Sequence, residues 1–145
     1  MASATVNEQT RREWRELGYY YTCDNERLMW VLRGSRVALL GFAQDIRKFA
    51  SDPKNSGIGE HLHLGPYKYL EIGTWNEPQI TDHWIAGPPS DMIRLAGLIE
   101  NKLEASEEGV TVSFRSEFAP VARFDLCLEV EDENFDPASV DSSCS

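Results

Sequence analysis

Apolar residues recur at steps of three and four in two stretches of the chain. Leu39, Phe42, Ala43, Ile46, Phe49 and Ala50 fall on one side of a helix. Ser35 supplies an N-cap hydroxyl for its first turn, and Asp52-Pro53 ends it, because a proline biases the preceding residue away from α geometry. Met92, Leu95, Ala96, Ile99 and Leu103 form a second stripe, with Ser90 or Asp91 as cap after Pro88-Pro89 and Gly109 in the turn that follows. The period falls to two near the C-terminus. Val110, Val112 and Phe114 alternate with Thr111, Ser113 and Arg115, and Phe124, Leu126, Leu128 and Val130 alternate with Asp125, Cys127, Glu129 and Glu131. Each run predicts a strand with one buried and one wet face.

A shift of 53 lays the first stripe on the second and Gly34 on Gly87. Each glycine follows a tryptophan in an apolar stretch, Trp30 or Trp84, and each stretch follows a tyrosine-rich one, Gly18-Tyr-Tyr-Tyr or Gly65-Pro-Tyr-Lys-Tyr. The pattern reads as a β-β-α unit used twice and closed by a strand pair. The expected order is β-β-α-β-β-α-β-β, in an α+β two-layer sandwich whose antiparallel sheet carries both helices on one face. The expected division is a flexible lead at 1–13, one domain at 14–131 and a loose acidic tail at 132–145.

A chain of 145 residues suffices for one core without cross-links. The longest apolar run, Val37 to Ala43, is far short of the roughly 20 residues that span a bilayer. Met1 to Trp14 lacks the apolar centre of a secretion signal, and the three cysteines, Cys23, Cys127 and Cys144, have no framework spacing. Both features lead to the expectation of a cytoplasmic protein with free thiols. The net charge of −10 is concentrated at the end: seven acids and no base follow Arg123. That field argues against nucleic acid and for a basic partner.

Candidate chemistry is sparse. His61 and His63 point to one side of a strand, and His83 would be the third ligand of a zinc site. A hairpin turn at Trp75-Asn-Glu-Pro-Gln79 places residue 83 opposite residue 71, and His63 then lies about 25 Å further along. No metal, no cofactor and no catalytic residue is expected. Asn55-Ser-Gly-Ile-Gly59 lacks the third glycine of a dinucleotide loop, and no serine has a nucleophile-elbow context. Aromatic residues remain. Consecutive tyrosines at 19–21 must face both sides of a sheet, so either Tyr20 or the pair Tyr19 and Tyr21 is not fully inside. Tyr67, Tyr69, Glu71, Trp75 and His83 are expected on one open face of the central hairpin, a composition suited to binding a protein.

The segment Leu39 to Ile85, an amphipathic helix followed by Glu60-His-Leu-His63 and the strand Tyr67-Lys-Tyr-Leu-Glu-Ile72, resembles immunity protein family 32 of bacterial polymorphic toxin systems. The resemblance covers about a third of the chain and implies a non-enzymatic inhibitor that acts by binding a toxin. The expected function is therefore a protein-binding module directed at a basic partner. The alternative is a small-molecule or metal-binding protein centred on His61-Leu62-His63.

Overall fold

Both apolar stripes form helices where they lie. The structure, a computed structural model, describes residues 4–144. Its elements run α1 (Ala4–Leu17), β1 (Tyr19–Asp24), β2 (Met29–Ser35), α2 (Arg36–Ser51), β3 (His61–Leu64), β4 (Leu70–Thr74), β5 (Gln79–Ile80) and β6 (Ile85–Gly87). Then follow α3 (Pro89–Glu104), β7 (Thr111–Ser113), α4 (Arg115–Phe118) and β8 (Asp125–Glu131), with single 3₁₀ turns at Pro53–Asn55, Pro66–Lys68 and Pro137–Val140.

Leu39, Phe42, Ala43, Ile46 and Phe49 of α2 are buried, as are Met92, Leu95, Ala96, Ile99 and Leu103 of α3, and the two helices pack together. Burying each of the larger side chains contributes about 1.5–3 kcal/mol. Ser35 Oγ accepts from Ala38 N at 3.2 Å, and Asp52 ends α2. The start of α3 has no side-chain cap: Pro88 occupies the N-cap position and Pro89 the first turn, where a missing N–H costs nothing. Arg36 Nε donates to Leu103 O at 2.9 Å and the same guanidinium reaches Ser106 O, so the start of α2 is tied to the C-terminal end of α3.

The α+β class holds, but the single antiparallel sheet is replaced by two mixed sheets. Their strand orders are β1-β2-β8-β7 and β3-β4-β6-β5, and in each the central pair, β2 with β8 and β4 with β6, is parallel. Alternation reports which faces are buried and says nothing of a partner's direction, so the parallel pairs left no mark in it. The turn expected at 75–79 does not join a hairpin; β5 pairs with β6, and β6 lies between β5 and β4.

The repeat is larger than the sequence shift suggests. Residues 19–74 form β1-β2-α2-β3-β4, and residues 79–131 form β5-β6-α3-β7-β8 with the short α4 inserted. The first hairpin of each unit joins the second hairpin of the other, so each sheet draws on both units. Gly34 and Gly87 occupy equivalent close approaches: a Cβ at Gly34 would lie 2.8 Å from Tyr19 Cβ, and one at Gly87 3.2 Å from Pro78 Cα.

Both termini depart from expectation. The described part of the lead is α1, whose Trp14 is buried at 1% exposure. The tail docks: Pro137, Ala138, Asp141 and Cys144 are buried, and Arg33 stacks on Phe135 at 5.4 Å. Most of the acids that follow Arg123, in β8 and in the tail, are engaged within the fold. Arg33 pairs with Glu129 and Glu131, Arg15 pairs with Asp136, and Asp125 Oδ1 accepts from the amides of Arg115 and Leu126.

Candidate functional site

Among the described residues, two of the surface clefts are of similar size. One, about 550 Å³, is bounded by Leu28, Pro78, Val121 and Phe124 and gathers no cluster of reactive groups. The other, about 580 Å³, lies where α1, β1 and the β3–β4 turn meet, and it collects the aromatic and titratable side chains. Trp14, Tyr20, Tyr21, Trp30, Tyr67 and Tyr69 line it, with Glu71, Asp82, Asp141, His63 and His83 among them and Lys68 as its one lysine or arginine.

The aromatic wall is continuous. Tyr69 stacks on Tyr67 at 5.8 Å, Tyr67 meets Trp14 edge-on at 6.2 Å, and Trp14 touches Tyr20 and Tyr21 at 4.8 and 5.1 Å. The tyrosine run divides as its alternation requires. Tyr19 and Tyr21 are buried, and Tyr20, half-buried, lies on the cleft side. Burial raises the phenol pKa values of Tyr20 and Tyr21, so both stay neutral donors at physiological pH.

Asp141 anchors this wall. Its Oδ2 accepts from Trp14 Nε1 at 2.8 Å and Tyr67 OH at 2.7 Å, with Cys144 Sγ at 3.4 Å, and its Oδ1 accepts from Ser143 N at 2.9 Å. Burial works to raise its pKa, but the hydrogen bonds from Tyr67, Trp14, Ser143 and Cys144 outweigh it and hold the carboxyl below the usual range. Tyr67 and Lys68 both adopt left-handed backbone geometry, with φ of 63° and 58°. Such conformations cost energy for side chains with a Cβ and persist where neighbours over-determine them. Here the Tyr67 bond to Asp141, the Tyr69 N bond to Tyr21 OH at 3.1 Å and the bond between Tyr21 OH and Pro66 O hold the turn.

That turn overturns the expected histidine geometry. It folds β3 back along β4, so His63 pairs directly with Glu71 and His61 with Gly73. The parallel register of Ile72 with Ile85 brings the β5–β6 turn to the same end of the sheet. His83 Nε2 consequently lies 3.3 Å from Glu71 Oε2, and His61 Nδ1 lies 3.8 Å from Glu71 Oε1. The separation expected between His63 and His83 assumed that residues 61–71 run on in one direction. The right signal was Gly65-Pro66, a turn dipeptide between two short apolar runs.

Of the residues singled out from sequence, Tyr67, Tyr69, Glu71 and His83 line this cleft together. Trp75 does not; it packs edge-to-face on Trp84 at 5.6 Å. Glu71 is not on an open face. It is 5% exposed, because β4 is covered on both sides. Sequence reasoning missed Trp14, Asp82 and Asp141, which reach the cleft from α1, the β5–β6 turn and the tail.

Fold and cleft define an α+β protein with an aromatic, acid-edged groove, and no helix among the described residues is long and apolar enough to cross a membrane. No protein-family profile, curated protein or solved structure matches the chain.

Proposed function

We propose that the protein is a cytoplasmic, non-enzymatic binding module that receives a cationic side chain of a basic protein partner in the aromatic cleft. The observation that carries this reading is the juxtaposition of six aromatic rings with the carboxylates of Glu71 and Asp82 in one groove. Aromatic faces attract an arginine or lysine head group, and adjacent carboxylates complete its neutralisation. The overall charge of −10 steers a basic protein toward any such encounter. The resemblance of the Glu60 to Ile72 segment to immunity protein family 32 points the same way, toward an inhibitor whose target is a basic toxin.

Contact falls to the exposed groups, Tyr69, Asp82 and His83, with half-buried Tyr20 behind them. Trp75 drops out of the contact set, and Tyr67 acts mainly by holding the wall. The test is affinity capture from the native host with the parent protein and a Tyr69→Ser, Asp82→Asn variant side by side. The expected result is a basic protein retained by the parent and lost from the variant. Identical captures, or a retained partner that is acidic, would refute the reading.

A further inference from the structure

The geometry points to a zinc site formed by His61, His63 and Glu71 at the rim of the cleft. The inference goes beyond the partner reading and shares one residue with it: with an ion on Glu71, neutralising the partner's cation falls to Asp82. One donor atom from each of the three residues lies within 4.8 Å of the others. A tetrahedral zinc shell asks for donor separations of about 3.3 Å, from bonds near 2.0–2.1 Å. The contraction is small for two exposed imidazoles, which turn about their side-chain torsions without moving the backbone.

Three features mark this as more than a chance meeting of polar groups. First, the register builds it: His63 and Glu71 are directly opposed across the β3–β4 ladder, and His61 lies two residues from His63 on the same side. Second, each imidazole is oriented through a backbone carbonyl. His61 Nδ1 lies 3.0 Å from Gly59 O, and His63 Nδ1 lies 2.9 Å from Lys68 O. A carbonyl only accepts, so in neutral His63 Nδ1 carries the proton and Nε2 keeps the lone pair a metal needs, while His61, whose Nδ1 also faces Glu71 Oε1 at 3.8 Å, turns its ring to present a lone pair. The His63 partner is one of the two left-handed residues of the turn, so the strained backbone serves this orientation. Third, Glu71 is a buried carboxylate that no lysine or arginine among the described residues pairs with; its nearest titratable neighbours are the imidazoles of His61 and His83. A buried anion without a fixed cation is costly, and a divalent ion removes the cost.

Two imidazoles and a carboxylate suit zinc, and three protein ligands leave the fourth position open. His83 stands against the outer oxygen of Glu71 and acts as a positioning residue for that carboxylate. His63 and Glu71 also line the cleft, which places the ion beside whatever the cleft takes up.

The experiment is calorimetric titration of the metal-stripped full chain with zinc, paired with the absorption spectrum of its cobalt(II) form. One zinc per chain at micromolar affinity or tighter is expected, with a tetrahedral cobalt spectrum free of thiolate charge transfer. The His61→Ala, His63→Ala double variant alters exposed side chains and retains the fold, which a melt verifies. Its loss of affinity is expected to exceed the roughly 10–100-fold that follows loss of an outer-shell partner, the range expected of His83→Ala. Absence of zinc uptake by the parent would overturn the site. So would unchanged affinity in the double variant, or a thiolate band that moves the ion to the cysteines.

Discussion

Removing the Asp141 carboxylate tests whether the C-terminal segment is part of the core. In Asp141→Ala, Trp14 Nε1 loses its acceptor inside a side chain that is 1% exposed, and Tyr67 OH loses its acceptor at the edge of the cleft. An unpaired buried donor costs about 1–3 kcal/mol, and a hydrogen bond to a charged group is worth about 1.5–3 kcal/mol. Tyr67 is 46% exposed, so water restores most of its share. The sum is about 3 kcal/mol, most of it from Trp14, which corresponds to a fall of about 10 °C in Tm for a domain of this size. Asp141→Asn keeps an acceptor in place and should lose about a third as much. The acid dependence follows with a definite sign. The folded pKa is depressed, so this stability is complete above about pH 4, the range of an unfolded aspartate, and disappears as pH falls through the folded value. The Ala variant should lack that part of the acid slope. Urea melts of parent and variants at pH 7 and below pH 4 provide the measurement. An Ala variant within about 0.5 kcal/mol of the parent at pH 7, the scatter of an inert surface change, would refute the reasoning.

Gly73→Ala is expected to destabilise by about 1–3 kcal/mol in the same melts, because its Cβ would stand 2.4 Å from the Trp84 ring carbons and 3.1 Å from Glu60 O. Truncation after Glu131 should cost more than Asp141→Ala, since it also removes buried Pro137, Ala138 and Cys144; an unchanged melt would return the tail to the loose state that its composition suggested. Cys23 and Cys127 should alkylate slowly at pH 8, because burial and then neighbouring carboxylates push both thiols up to about 11. Mass-spectrometric labelling checks this, and rates equal to those of the urea-unfolded chain would contradict it.

The buried faces of α2 and α3 were legible in the sequence, although Ala50 is only half-buried, the cap expected at Ser90 or Asp91 falls to Pro88, and α1 and α4 were missed. Every member of the stripes at Leu39 to Phe49 and Met92 to Leu103 is buried, because a 3.6-residue period has one structural meaning. Strand faces were legible in part: Leu126, Leu128 and Val130 are inside and Glu129 and Glu131 are turned toward Arg33, but Cys127 is buried as well, Val110 is exposed, and Phe114 and Arg115 stand at the start of α4. Pairing was not. A strand of three residues such as β6, or of two such as β5, carries no periodicity, and nothing local tells Ile85 to lie beside Ile72. The candidate site inherited that blindness. Tyr67, Tyr69, Glu71 and His83 were grouped through a hairpin face that does not form, and the convergence of His61 and His63 on Glu71 depends on a turn held by Tyr21 and Asp141, residues distant in the chain. The tail was misjudged because seven acids read as solvated charge. Partners such as Arg15 and Arg33, far away in sequence, make several of them structural.

The exchange of hairpins between the two β-β-α-β-β units has a consequence for how the chain can be divided. In pairing terms the molecule is a dimer on a tether: β2 borrows β8, β6 borrows β4, and the segment after Thr74 links two bodies that are each half-finished. Either unit alone would present two raw parallel-pairing edges and half of the helix–helix contact, so a cut near residue 76 yields complementary fragments rather than independent domains. Two copies of one unit, related by a twofold, could in turn meet each other's needs by setting β2 of each against β4 of its mate. Folding of the intact chain thus waits for its second half: the sheet begun by β1 and β2 closes only when β8, a hundred residues later, is available to join it.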